Sequence, residues 1–435
     1  LSYAGGVSPA PSRLRAAATA LLSAAAPALG CGERPLPPVS VALTAATAPA
    51  EAPPAQGAPS APASAAAVAT PPAAPGALWA EPTRSPRLAA PADPLDAPLH
   101  ALCGDNDRAL HRAAEIELAR TGQAGALLPA DELAFTLRAL GDPHVWPRAW
   151  SLARPALDET EVAQRLTRFV ADGGNAAGVH RCGVARGSGV QGESIVAVVT
   201  VDALADLDPL PSTAKVGETV TVRGTLLVPV SGVTAAILGP RGAPRQVPVT
   251  MTGGTVALRF VPDQPGAFVV HVRATLQGGE RPVLEALVYA DAEPPQAFVS
   301  LPAPGEDAGA AVADPAEAIA RMIGAARKAE GAPPLRRDPL LDAVARAHTD
   351  QMVRLRKVAH DLGSGEAPAR LSSAGIKSGF IGETVALARD AATVHRAVWG
   401  SPNQRGYLLD PRSKRLGVAA TTDEAGTWVT EIFTE

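Results

Sequence analysis

Aromatic residues make up only 3% of this 435-residue chain, and cysteine occurs three times, at Cys31, Cys103 and Cys182. No two cysteines stand as Cys-x-x-Cys, which excludes the usual structural zinc sites. Neither sign of charge dominates: 39 basic against 43 acidic residues leave a net charge of −4, and without a basic stripe no nucleic-acid partner is expected. Long apolar runs are missing too. None reaches the ~20 residues that span a bilayer, so the chain is not a polytopic membrane protein. Gly-x-Ser-x-Gly, His-Glu-x-x-His and Cys/His nucleophile arrangements are absent, which removes the common hydrolase signatures. The length exceeds what one core supports and implies several domains.

What is present changes character along the chain. Residues 1–31 read as an export signal: Arg13 and Arg15 precede an apolar stretch from Ala16 to Leu29 that ends on Gly30-Cys31 and is too short to cross a membrane. The segment Ala28-Leu29-Gly30-Cys31 resembles a bacterial lipobox, with Ala28 where Leu is usual. That resemblance implies lipidation of Cys31 and a membrane partner through the lipid anchor. Residues 32–98 follow, more than half Ala and Pro. Such a segment has too little large apolar surface to offset its ordering entropy, so a disordered spacer is expected.

Three folded units are expected beyond it. In residues 99–211, Asp105-Asn106-Asp107 can cap the periodic run RALHRAAEIELART, further helices are expected over 130–140 and 159–171, and RCGVARG and SIVAVVTVDAL read as strands. This is an α+β pattern. Residues 212–292 alternate as strands, with a Gly253-Gly254 hairpin between QVPVT and VALRF. Glu218 and PDQPGAFVVHVRA resemble the close of a bacterial Ig-like module, which implies a β-sandwich acting as spacer or binding unit. Residues 293–313 read as a linker. Residues 314–435 open with helices at Pro315 and Asp338-Pro339, reach Gly382-Glu383 through a glycine-bearing loop, place a helix over 390–399, and close on the strands RLGVAAT and TWVTEIF. Helices before strands suggest a layered α/β/α unit.

This third unit resembles the SCP-like domain of the CAP superfamily, the cysteine-rich secretory, antigen-five and pathogenesis-related proteins. The matching pieces are ARKAEGAPPLRRDPLLDAVARAHTDQM, Val358-Ala359-His360, Gly382-Glu383-Thr384-Val385-Ala386, Trp399-Gly400-Ser401-Pro402 with Arg405 and Leu408-Leu409, and the closing hairpin. The resemblance implies a cleft with two His and one or two acidic residues, a plausible divalent-cation site. Here His360 and Glu383 match, Gln404 stands where the second His belongs, Tyr407 replaces an Asn, and the second acidic position falls on Gly400, Ser401 or Pro402.

The expected cleft is therefore His360, Glu383, Gln404 and Tyr407, flanked by Trp399 and Ser401, with no cofactor, zinc being the weak alternative. The reading is a multidomain, secreted envelope lipoprotein whose degenerate CAP-like domain is a non-enzymatic module for a lipid, glycan or protein. The competing reading is a metal-dependent or acid/base hydrolase using His360 and Glu383. His348, on the apolar stripe of its helix, is expected to be packed, and His395 solvated. Export implies a Cys103–Cys182 disulfide, against two buried free thiols. Arg181-Cys182-Gly183-Val184-Ala185 echoes Arg415-Leu416-Gly417-Val418-Ala419, so residues 99–211 are either an independent α+β domain or a diverged copy of the third, with His144 as its cleft histidine.

Overall fold

The computed structural model describes Trp79 and residues 94–173, 178–277 and 279–435. The signal, Cys31 and nearly all of the Ala/Pro-rich spacer lie outside the described residues. The described chain is multidomain, with mixed helix and strand and four separate sheets.

The first domain runs through α1 (Ala97–Cys103), β1 (Asp105–Asn106), α2 (Arg108–Ala124), α3 (Ala130–Ala139), β2 (Arg148–Arg154), α4 (Glu159–Ala171), β3 (Val179–Ser188) and β4 (Ser194–Ala203). Asp107 starts α2 by accepting from the N–H groups of Ala109 and Leu110, and Gly125 ends it in the left-handed conformation. The sheet order is β1-β3-β4-β2. Val184, Val196 and Val198 pack with Leu99, Val162 and Leu166, whereas Ala185, Val199 and Val201 pack with Leu110, Leu133 and Leu137. Both faces of β4 are buried from Ile195 to Val201, which is why Ile195 to Val199 is an unbroken apolar run rather than an alternating one. Cys103 and Cys182 are joined by a disulfide with a Cα separation of 5.8 Å.

The second domain is a two-sheet sandwich of β5 (Ala205–Leu207), β6 (Thr213–Ala214), β7 (Val220–Leu226), β8 (Gly232–Leu238), β9 (Arg245–Val247), β10 (Val249–Thr252), β11 (Thr255–Phe260), β12 (Gly266–Leu276) and β13 (Gly279–Ala290). The sheets β10-β11-β7-β5 and β6-β13-β12-β8-β9 enclose one core, with Val220, Val222, Leu258 and Phe260 facing Ile237, Phe268, Val270, Val272, Leu284 and Val288. Thr252 pairs with Thr255 across Gly253 and Gly254, both at positive φ, as a two-residue hairpin turn requires. The expected boundary at 211/212 is displaced. Residues 205–207 pair with β7 and Leu204 joins the sandwich core, and Val201 to Leu207 carries no glycine or proline to mark the crossing.

The expected linker 293–313 is only partly a linker. A 3₁₀ turn (Glu306–Gly309) packs on the third domain. Arg396 donates from Nε to Glu306 at 2.8 Å, and a Cβ at Gly309 would stand 2.8 Å from the Met322 side chain. The small residues that read as flexible composition serve close packing. Trp79, assigned to the spacer, is also held: its indole N–H donates to Pro295 O at 2.7 Å and its ring meets Phe135 and Tyr289 edge-on.

The third domain comprises α5 (Pro315–Ala329), β14 (Arg336–Arg337), α6 (Pro339–Leu355), α7 (Ala367–Ser373), β15 (Ile381–Ala388), α8 (Ala391–Gly400), α9 (Pro402–Leu409), β16 (Arg415–Asp423) and β17 (Gly426–Thr434). Ile319, Met322 and Val398 pack with Leu416, Val418 and Phe433, while Leu341, Ala345 and Leu371 pack with Ala419 and Ile432. The Gly382–Ala386 stretch lies in strand β15, paired with β17 along its whole length.

The third sheet order, β14-β16-β17-β15, repeats that of the first domain position for position. Asp338 caps α6 as Asp107 caps α2. Their own N–H groups donate to Leu416 O at 2.9 Å and Cys182 O at 3.2 Å. The next residue of each strand must be glycine: a Cβ at Gly183 would lie 2.0 Å from the backbone of Leu110, and one at Gly417 2.4 Å from that of Leu341. These are the glycines of the echoed Arg-x-Gly-Val-Ala motif.

Candidate functional site

β15 sets the site through the alternation of a strand. Glu383 faces α7 and the loop after α6, and it is only 6% exposed. The carboxylate has two partners. His360 Nδ1 lies 2.9 Å from Oε1, and the Arg370 guanidinium, itself buried, closes on Oε2. The His360 side chain is 52% exposed.

The loop bearing His360 is fixed by three neighbours and by one of its own residues. His348 Nε2 donates to Ala359 O at 2.9 Å, and Gln351 donates to Leu362 O at 2.7 Å. Arg370 Nη1 donates to His360 O at 2.7 Å, and Asp361 Oδ1 accepts from the N–H groups of Gly363 and Gly365. His348 is thus packed as expected, with burial pushing its pKa down. It holds the loop rather than facing it.

The remaining candidates do not join this group. A Cβ at Gly382 would stand 2.6 Å from the Tyr407 ring, so Tyr407, with the α9 on which Gln404 also sits, lies over the face of β15 opposite Glu383. Trp399 does not flank a cleft: it is a buried core residue with the Arg405 guanidinium 4.1 Å over its ring. Ser401 is the N-cap of α9. His395, expected to be solvated, is fully buried and its Nε2 donates to Pro304 O at 2.9 Å, a partner contributed by the misread linker. His144 is buried against Asp142 at 2.8 Å. Burial opposes its protonation, but the Asp142 carboxylate outweighs it and raises its pKa.

Sequence reasoning missed Arg370, because nothing in APARLSS marks one arginine on a short helix as a partner for a strand 13 residues on. It also missed Glu431. This residue lies on β17, on the α5 side of the sheet, and accepts from Thr384 Oγ1 at 2.7 Å. Burial pushes its carboxyl up to about 7.

A divalent cation does not fit this arrangement. Two donors fall short of the three that a catalytic zinc takes from protein, and the carboxylate charge that would attract the ion is already matched by a guanidinium that cannot deprotonate.

Residues 320–433 match the family model for the cysteine-rich secretory protein (CAP) family, and the C-terminal region of the chain is accordingly a CAP-like domain. Among solved structures, the chain is similar to an outer surface protein of Borrelia burgdorferi, at 17% identity and a TM-score of 0.27, over 28% of this chain and 92% of that one. An extracellular SCP-domain protein of Bacillus anthracis matches at 15% identity and 0.26, over 53% and 86%. A cysteine-rich secretory protein of Staphylococcus aureus matches at 13% and 0.23, over 54% and 82%. Among curated proteins, none matches the chain in sequence.

Proposed function

We propose that this chain is an exported bacterial envelope protein, anchored by a lipid on Cys31, whose CAP-like domain is a degenerate, non-enzymatic module for a lipid, glycan or protein ligand. The sandwich is an Ig-like spacer, the CAP-like unit is layered α/β/α, and the first domain is a diverged copy of it. The family match supports the secretory reading, and the Cys103–Cys182 bridge fits an oxidising compartment.

One observation carries the non-enzymatic reading: Arg370 occupies the carboxylate of Glu383, so the pair that resembles a metal or acid/base dyad is internally neutralised. The test is a calorimetric titration of the oxidised full chain with zinc, alongside His360→Ala. Dissociation at or above about millimolar in both supports the reading, since two donors are too few. Micromolar binding that His360→Ala removes overturns it.

The acid/base reading draws on a different observation. A half-exposed imidazole oriented through Nδ1 by a buried carboxylate has the form of a catalytic base. It requires activity on an ester or amide substrate that His360→Ala abolishes.

A further inference from the structure

The corner where α1 meets β3 gathers three donors of the type that soft and borderline cations take. Cys103 is the last residue of α1 and His100 stands three positions earlier, so both side chains leave one face of the helix. Cys182 comes to them from β3. His100 Nδ1 lies 3.4 Å from Cys182 Sγ, and the three ligand atoms all fall within 4.8 Å of one another. A nitrogen at 2.0–2.1 Å and a sulfur at 2.3 Å from one tetrahedral zinc stand roughly 3.5 Å apart. His100 and Cys182 therefore already hold the spacing of two ligands on a shared ion. The sulfurs sit in an apolar shell of Leu99, Val162, Leu166 and Val184, while His100 is only half-buried and opens a route from solvent.

The third domain supplies the control. It carries Leu416 at the register position of Cys182 and contains no cysteine. The same fold closes this corner without sulfur, so the sulfurs answer no demand of the topology.

We infer that His100, Cys103 and Cys182 form a redox-gated site for a zinc-type cation. In the oxidised chain the disulfide takes up both sulfur donors and His100 stands alone. A dithiol reductant opens the site: its two thiols become a disulfide, and its two electrons and two protons convert the Cys103–Cys182 bond into two thiols. On metal binding each thiol releases its proton to the solvent, so loading one zinc frees two protons. Three protein donors leave the fourth position to water.

The experiment uses the full chain in a Cys31→Ser background, so that the tail thiol cannot contribute, with zinc chloride as probe and a phosphine reductant that leaves no thiol in solution. Zinc affinity is measured by competition with a chromogenic chelator in oxidised and reduced protein, and proton release is followed in weak buffer. The reduced chain is expected to bind one zinc at least 100-fold more tightly than the oxidised chain and to release two protons. Cobalt in place of zinc is expected to give a thiolate charge-transfer band. His100→Asn is expected to weaken reduced-state binding by about tenfold or more while near-ultraviolet circular dichroism keeps its native form. Equal affinity in the two redox states overturns the inference, as does an unchanged affinity in His100→Asn. A reduced chain that loses its native dichroism and does not regain it with zinc overturns it too, because the fold would then not build the site.

Discussion

The first and third domains share one strand order and, α9 aside, one order of helices, yet they spend their charged residues differently. Arg415, on the β16 residue that pairs with Arg336, donates to the cap Asp338 of its own domain at 3.1 Å. Arg181, on the β3 residue that pairs with Asp105, gives its hydrogen bond to Asp206 of the sandwich at 2.6 Å. One arginine thus closes a helix cap in the third domain and a domain joint in the first. The cleft differs in the same way. Ala149 pairs with Val199 where Glu383 pairs with Ile432, and Thr136 precedes the buried Leu137 as Arg370 precedes Leu371. Glu117, ten residues after its cap, holds Leu128 through a carboxylate, where His348, ten after its own, holds Ala359 through an imidazole. The scaffold positions match while the polar pair is present in the third domain alone, so the shared strand order does not depend on the cleft residues.

The largest expected difference between the two comes from the bridge. Closing a loop of 79 residues stabilises a domain by about 4 kcal/mol on the chain-entropy model. Cys103→Ala with Cys182→Ala should therefore destabilise the first domain by roughly that amount in denaturant titrations followed by hydrogen exchange, with peptides of the third domain unmoved. A loss below about 1 kcal/mol would mean that the reduced chain already holds this corner together.

A second difference lies at matched positions of the closing hairpins, where Val198 pairs with Val184 and Glu431 with Val418. Glu431 is fully buried and its carboxyl is raised from 4.5 to about 7. A carboxyl whose folded pKa is raised binds its proton more tightly in the folded state, so its contribution is complete below about pH 4.5 and is lost as pH rises to about 7. The shift corresponds to roughly 3 kcal/mol. Glu431→Val should flatten that slope and leave the third domain more stable above pH 7, measured as denaturant midpoints from pH 4 to 8. A slope that survives the substitution would assign it to other groups.

How much of this was legible depended on whether the signal was local. The caps Asp107 and Asp338, the Gly253-Gly254 turn and the echoed Arg-x-Gly-Val-Ala runs could be read directly, because each is fixed by near neighbours in sequence. Tertiary partners could not be read. Arg370 meets Glu383 only because α7 folds onto β15, and His395 is buried only because the Pro304 turn covers it. Trp399 matched a motif but fills a core, since its place in the motif says nothing about which face of α8 is covered. The domain crossing at Leu204 escaped notice because two strands follow each other with no turn residue between them.

The smallest expected effect separates the two helix caps. Asp107 accepts two backbone N–H bonds, but burial and the charge of Asp142 push its carboxyl up to about 6. Asp338 feels burial too, but the Leu340 N–H and Arg415 outweigh it and hold its carboxyl below the usual range. The signs of the linkage are therefore opposite. Asp107 contributes most at low pH and loses that contribution as pH rises from about 4 to 6. Asp338 contributes above the ordinary carboxylate pKa and loses it as pH falls through its lowered value. Asparagine keeps the capping oxygen without the charge. Asp338→Asn should thus cost about 1 kcal/mol at pH 7 and less as pH falls, because it removes a charged partner of Arg415. Asp107→Asn should cost little or be stabilising at pH 7, because it removes a buried charge that faces Asp142 and whose neighbour Arg181 gives its hydrogen bond to Asp206 instead. Hydrogen exchange of α2 and α6 peptides at pH 5 and pH 7 in the full chain reads both at once. If both substitutions weaken their helices equally at pH 7, the arginine's change of partner has no energetic consequence, and the two caps are equivalent despite their different surroundings.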